Sequence, residues 1–130
     1  MENTNSVDIY KLFLENIPYP VWIQDIDTKI IFINDHYENL YNIKYSDVIG
    51  KKTIEVLHKE KADIYNRQLE ETLTTKKVTT SESLIKGLYF RACVFPILDK
   101  NQEVQGVAGI VIDINEKKQK QLELIHQKIF

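Results

Sequence analysis

The chain has 130 residues, 43% of them hydrophobic and 28% charged, which describes one soluble globular domain able to fold without a metal or a disulfide. Its 17 Lys+Arg against 19 Asp+Glu give a net charge of -2, which excludes a dominant basic surface for nucleic acid. The single cysteine, Cys93, excludes an internal disulfide and a cysteine zinc site. No basic leader opens the chain and no apolar run reaches bilayer length. The expectation is therefore a cytoplasmic protein with neither nucleic acid nor membrane as a direct partner.

In chain order, Ser6 is placed to cap a short helix whose stripe is Ile9, Leu12, Phe13 and Ile17, and Pro18 and Pro20 end it. Val21–Asp25 reads as a strand and Asp25 to Lys29 as a turn. Ile30–Ile33 reads as a second strand, apolar on both faces and so expected to be covered on both. The stretch "NDHYENLYNIKYSDVIGK" then breaks into short capped helices. Asn34 or Asp35 caps the first, Ser46 and Asp47 start a turn that ends at Gly50, and Thr53 is placed to cap a third. Lys59 to about Lys76 is one long helix, with Ala62, Tyr65, Leu69 and Leu73 on one face.

From Val78 the period changes. Residues 78–86, 88–98 and 103–114 read as three strands whose short turns force an antiparallel meander, and residues 115–130 as a final polar helix. Two strands, a helical cluster and three strands make an α+β domain, with the helices crossing one face of a single sheet.

Four stretches in this order resemble a PAS domain, over about residues 12–118: "FLENIPYPVWIQDIDTKIIFIN", "NDHYENLYNIKYSDVIGKK", "FRACVFPILDKNQEVQGVAGIVIDI" and "DINEKK". Asn42 stands where many members carry Gly, and Asn tolerates the left-handed conformation better than most residues. The resemblance implies the PAS fold, a five-stranded antiparallel sheet with a helical cluster on one face. It divides the chain into an N-terminal flanking helix (residues 1–17), a PAS core (18–114) and a C-terminal output helix (115–130). It also implies a sensor of the signal-transduction type, linked in the same polypeptide to an output domain such as a histidine kinase or a GGDEF-type cyclase.

Cofactor chemistry is disfavoured by the same comparison. Flavin-adduct members carry Gly-x-Asn-Cys-Arg-Phe-Leu-Gln, and here Thr53 stands at the place of the thiol. Haem-binding members use a histidine on the long helix; this one has none, and Tyr65 lies near that place. His36, His58 and His126 are scattered, so no metal site is expected, and His58 reads as a helix-terminus residue. Cys93 reads as a small buried apolar residue.

No catalytic set stands out. Asp25 and Asp27 belong to a turn, and Glu70-Glu71 and Lys117-Lys118 read as solvated helix charge. A small isomerase-like enzyme would need a buried acid, for which Glu82 is the strand candidate.

The resemblance assigns strand faces. Trp22, Gln24, Phe90, Ala92, Val94, Val107, Gly109 and Val111 point inward, and Tyr41, Leu57, Tyr65 and Leu69 close the space from the helices. These side chains either fill the core or line a ligand cavity. Ala92 and Gly109 favour the cavity, because small residues on neighbouring strands leave room, and Gln24 with a tyrosine would orient a small, largely uncharged ligand. On the outer face, Tyr89, Cys93, Phe95, Ala108, Ile110 and Ile112 make an apolar surface. Leu12 and Phe13 are expected to cover part of it and a second subunit the rest. Leu122, Ile125 and Ile129 add a short coiled-coil seam to that homodimer. Asp113, Ile114 and Asn115 would relay the signal into the last helix, and a ligand-free dimerisation module is the alternative.

Overall fold

The structure, a computed structural model, describes residues 2–129, with side chains from residue 8 to residue 128. Helix α1 (Glu2–Asn16) leads into strands β1 (Val21–Asp25) and β2 (Ile30–Ile33). Helices α2 (Asp35–Tyr41), α3 (Tyr45–Val48), α4 (Thr53–Val56) and α5 (Lys59–Thr75) follow. Strands β3 (Thr79–Ile85), β4 (Leu88–Leu98) and β5 (Val104–Asp113) and helix α6 (Asn115–Ile129) complete the chain. The sheet order is β2-β1-β5-β4-β3, with every pair antiparallel. The chain therefore leaves the sheet at one edge and re-enters at the other, and the helical cluster crosses the face between.

Several local readings need correction. Helix α1 starts at Glu2, so Ser6 lies inside it and not at its cap. The side chains of Ser6 and Ile129, and all of Phe130, fall outside the described residues. Strand β2 is an edge strand: Ile30 and Ile33 are buried, but Ile31 is open to solvent, so only one face is covered. Thr53 sits in the first turn of α4 and the cap position is Lys52, whose N–H donates to Glu55 Oε2 at 2.7 Å.

Asn34 organises the exit from the sheet. Its Oδ1 accepts from the backbone N–H of Val21 (3.1 Å) and of Tyr37 (3.0 Å), and its Nδ2 donates to the carbonyls of Ile17 (3.2 Å) and Tyr19 (2.8 Å). One buried amide thus ties the approach to β1, the start of β1 and the first turn of α2. Asn42 ends α2 in the left-handed conformation, at φ 55°. At Gly50, φ 84° turns the chain back so that its N–H reaches Ile30 O (2.7 Å), while Ile30 N–H reaches Lys51 O (2.8 Å). These bonds dock the connecting stretch against β2.

The β1–β2 and β4–β5 turns share one device. Asp25 Oδ1 accepts from the N–H groups of Asp27 and Lys29, and Asp99 Oδ1 from those of Asn101 and Glu103. Asp25 is thereby engaged in a turn, as its sequence context implies.

The core lies between α5 and the sheet. Trp22, Ile33, Leu69, Phe90, Val94, Val107 and Val111 belong to one apolar cluster. On the opposite sheet face Ala108 is buried, Cys93, Ile110 and Ile112 are half-buried, and Tyr89 and Phe95 are exposed. Helix α1 does not cover this face as expected: Leu12 and Phe13 are 51% and 67% exposed. Cys93 is accordingly only partly buried. Leu122 and Ile125 on α6 are exposed as well.

Candidate functional site

Between α5 and strands β3 and β4 lies a cavity of about 140 Å³. Five residues assigned to it from sequence line it: Trp22, Tyr41, Leu57, Tyr65 and Ala92. Phe90, Val94, Val107 and Val111 point to the same side of the sheet but are packed into the core beneath. Gln24 and Leu69 border a separate, shallower depression with Thr28 and Leu73. Gly109 lines no cavity: a Cβ placed there would collide with the Trp22 indole, so the room it leaves is already filled. The register explains this, since Trp22 and Gly109 are direct partners across β1 and β5.

The aromatic wall is built by three elements. Trp22 comes from β1, Tyr37 and Tyr41 from α2, and Tyr65 from α5. Ring centroids lie 5.6 Å apart for Trp22–Tyr37, 5.8 Å for Trp22–Tyr65 and 4.6 Å for Tyr37–Tyr41. Tilted and edge-on contacts at these distances are the favourable ones for aromatic pairs.

Polar groups sort into engaged and open ones. Trp22 Nε1 donates to Tyr65 Oη at 2.8 Å, Tyr65 Oη–H donates to Gln24 Oε1, and Gln24 Nε2 donates to Thr28 O at 2.8 Å. The expectation that Gln24 and a tyrosine meet a ligand therefore fails for Gln24 with Tyr65, which satisfy each other. Gln68 is likewise engaged, donating to Ala92 O (3.3 Å) and accepting from Ser81 Oγ (2.9 Å). By contrast, the hydroxyls of Tyr37 and Thr53, each residue only 5% exposed, have no hydrogen-bond partner among the described residues. Both residues line the cavity.

Burial pushes all three tyrosines upward. The Tyr41 hydroxyl rises to about 12, chiefly through desolvation. Tyr37 lies well above the usual phenol range through burial, then through the nearby Tyr41 and Tyr65. Tyr65 is raised by burial, against a lowering by the Trp22 hydrogen bond. The sign follows directly. A hydroxyl kept protonated by the fold contributes stability below its ordinary value near 10, and that contribution is lost as pH rises above it. Urea midpoints should therefore fall progressively above about pH 10, and the Tyr37→Phe, Tyr41→Phe double variant should show a shallower fall. An unchanged slope in the variant would contradict this account.

Polar residues missed by sequence reading, Lys61, Gln68, Ser81 and Ser83, complete the lining with Tyr37, with Thr53 and with Glu82, the acid that the enzyme reading named. The spacing of Gln68 and Thr72 from Tyr65 and Leu69 was an available signal, because it puts two polar residues on the buried face of α5. Thr72 Oγ1 meets Thr79 Oγ1 at 2.7 Å, which holds that face against β3.

At the rim, Glu82 is exposed and ion-paired to Arg91 (3.7 Å) and to Lys118 (3.3 Å). The enzyme reading required it to be buried, so that reading loses its candidate acid. Lys118 is not simple solvated charge either, since it also lies over the Tyr89 ring at 5.8 Å. Below it, Asn115 Oδ1 accepts from Tyr89 N–H (2.8 Å) and Ile114 N–H reaches Tyr89 O (3.1 Å). Asp113 Oδ1 accepts from Asn115 N–H at 2.9 Å. Among the described residues no group of acidic, histidine or cysteine side chains is arranged to hold a metal. None of their helices is long and apolar enough to cross a membrane.

Comparison with known proteins places this geometry. A family model described as PAS fold matches residues 8–114. A probable histidine kinase 1 from Oryza sativa subsp. indica is 30% identical over 111 residues, covering 82% of this chain and 11% of that protein. The chain thus spans about a tenth of that relative's length. Among solved structures, the PAS domain of BvgS from Bordetella pertussis superposes with a TM-score of 0.72 at 19% identity, over 95% of this chain and 97% of that one. A sensory box sensor histidine kinase from Vibrio cholerae gives 0.66 at 20% identity, over 88% and 95%.

Proposed function

The chain belongs to the PAS family, and from that premise we propose that it is a ligand-responsive sensor whose cavity communicates with α6. A small molecule between α5 and the sheet favours one packing of the rim. The change passes to Lys118 and the Asp113-Ile114-Asn115 junction, and α6 carries it to an output domain in the same polypeptide. This is a population shift between two packings, biased by whichever one the ligand binds better. One observation carries the reading: Glu82 lines the cavity and also holds Lys118 in the first turn of α6. The similarity to a probable histidine kinase supports a histidine kinase as the output, with a GGDEF-type cyclase as the alternative. The proposal includes a cytoplasmic location, no catalysis by the domain itself and neither flavin-adduct nor haem chemistry.

A homodimer is part of the same proposal. Ile9, Leu12 and Phe13 on α1, Phe95 on β4, and Leu122 and Ile125 on α6 are all exposed. Apolar rows on three elements favour burial against a second copy. The same rows support the second reading, a module that dimerises its parent without a ligand.

Native mass spectrometry with a denatured control separates the two. A dimer carrying releasable mass is expected, and Ala92→Phe should abolish retention by filling the cavity. Retention unchanged in Ala92→Phe would reject this cavity as the site. The relay has its own test. Ligand should alter hydrogen exchange at residues 114–118 in the unmodified protein, and Glu82→Gln should remove that response even when the variant is saturated with ligand. A response that persists in Glu82→Gln would reject the ion pair as the link.

A further inference from the structure

Resting on the sensory reading above, we infer that the cavity takes a single-ring carboxylic acid carrying a hydroxyl or carbonyl substituent. Its ring would lie in the aromatic interior and its carboxylate at the rim beside Lys61.

Size sets the body. The volume of about 140 Å³ is close to the roughly 150 Å³ of an apolar cavity known to admit benzene. Trp22, Tyr37, Tyr41 and Tyr65 offer ring faces and edges around that space, which suits a flat ring better than a flexible chain.

Unpartnered groups set the substituent. Tyr37 and Thr53 are buried, line the cavity and keep hydroxyls without partners among the described residues. Among the described residues no buried side-chain oxygen lacks a partner, so these two hydroxyls are open to the cavity, where a ligand oxygen can pair with them. Of the other polar lining groups, Tyr65 and Gln68 are already satisfied and contribute shape only.

Charge sets the acid. Lys61 lines the rim and has no ion pair among the described residues. Glu82 is the acid of the rim, and its carboxylate is shared by Arg91 and Lys118. The rim thus presents an unopposed ammonium and an already neutralised carboxylate. Lys61 also sits in the first turn of the 17-residue helix α5, whose cap residue His58 makes no side-chain capping bond. The positive end of the helix favours an anion at the same place. A ligand ammonium would meet Lys61, Arg91 and Lys118 against one acid.

The test titrates the full chain with 4-hydroxybenzoate, benzoate, 4-hydroxybenzamide and 4-hydroxybenzylamine. Trp22, the single tryptophan, reports through its emission, and native mass spectrometry confirms occupancy. The hydroxy acid should bind about tenfold tighter than its amide, and tighter still than the amine. Lys61→Gln, a change on the exposed side of α5, should erase the acid-over-amide preference without weakening the amide. Tyr37→Phe should reduce 4-hydroxybenzoate toward benzoate, a loss of roughly three- to tenfold. An amide that binds as well as the acid, or an acid preference that survives Lys61→Gln, overturns the carboxylate assignment and leaves the cavity reading standing. If no probe of any charge binds, the acid assignment falls. If, in addition, the native spectrum of the untreated protein shows no retained mass, the sensory reading falls with it.

Discussion

Replacing Asn34 with Ala is expected to lower the thermal midpoint by roughly 10–15 °C, which corresponds to a loss of about 3–4 kcal/mol for a domain of this size. The side chain makes four hydrogen bonds to backbone groups of four residues: Ile17, Tyr19, Val21 and Tyr37. Alanine removes all four at once. The Val21 N–H then loses its Asn34 partner, whereas Tyr37 N–H keeps its bond to the Asn34 carbonyl at 3.1 Å. A buried donor left unpaired costs about 1–3 kcal/mol, and the loss of local closure adds to it. The loss exceeds that of an ordinary helix-cap deletion, about 1 kcal/mol, because this cap also holds the entry to β1. Differential scanning calorimetry decides it. A shift below about 4 °C would mean that water or backbone rearrangement replaces the amide.

Gly109→Ala should also be clearly damaging, at about 1–3 kcal/mol. A methyl group there enters the space of the Trp22 indole, a rigid ring that is itself 5% exposed and hydrogen-bonded to Tyr65. The indole lines the cavity, so a ring displaced toward it should cost cavity volume as well as stability. Trp22 emission should shift and probe binding weaken in parallel. A double-mutant cycle isolates the contact: Gly109→Ala should cost at least about 1 kcal/mol less in a Trp22→Phe background. Additive costs would show that the methyl group collides with something other than the indole.

Both predictions turn on features that the chain's own letters expressed only in part. The pattern of apolar residues and turn signals located β1, β2, β4 and the long helix to the residue or nearly so, because strands and helices impose periods that a one-dimensional pattern records. Asn34 as a cap and Asn42 as a left-handed stop were legible for the same reason, since capping is local chemistry. Alternation splits β4 and β5 into two faces, and the resemblance to PAS domains supplied which of them points inward. What a small residue accomplishes was not legible. Gly109 and Ala92 look equivalent in sequence, yet one accommodates the Trp22 indole and the other lines open space. The partner that decides between them lies on another strand.

The cavity follows the same division. Tyr37 falls in a short helix with nothing local to mark it as a site residue, and only the crossing of α2 over the sheet brings it beside Trp22. Gln24 and Tyr65 were read as ligand contacts, and only their meeting across 41 residues shows that they satisfy one another. Lys118 was read as solvated charge, and only the packing of α6 against β4 brings it to Glu82. Composition, periodicity and local turn chemistry thus determined by themselves an α+β chain with these strands and the caps at Asn34 and Asn42, and the resemblance of its motifs added the PAS family. Which polar groups are satisfied, which hydroxyls remain open and which charges meet at the rim were decided by tertiary structure alone. Those properties depend on distances between residues far apart in the chain, and no local pattern encodes such a distance.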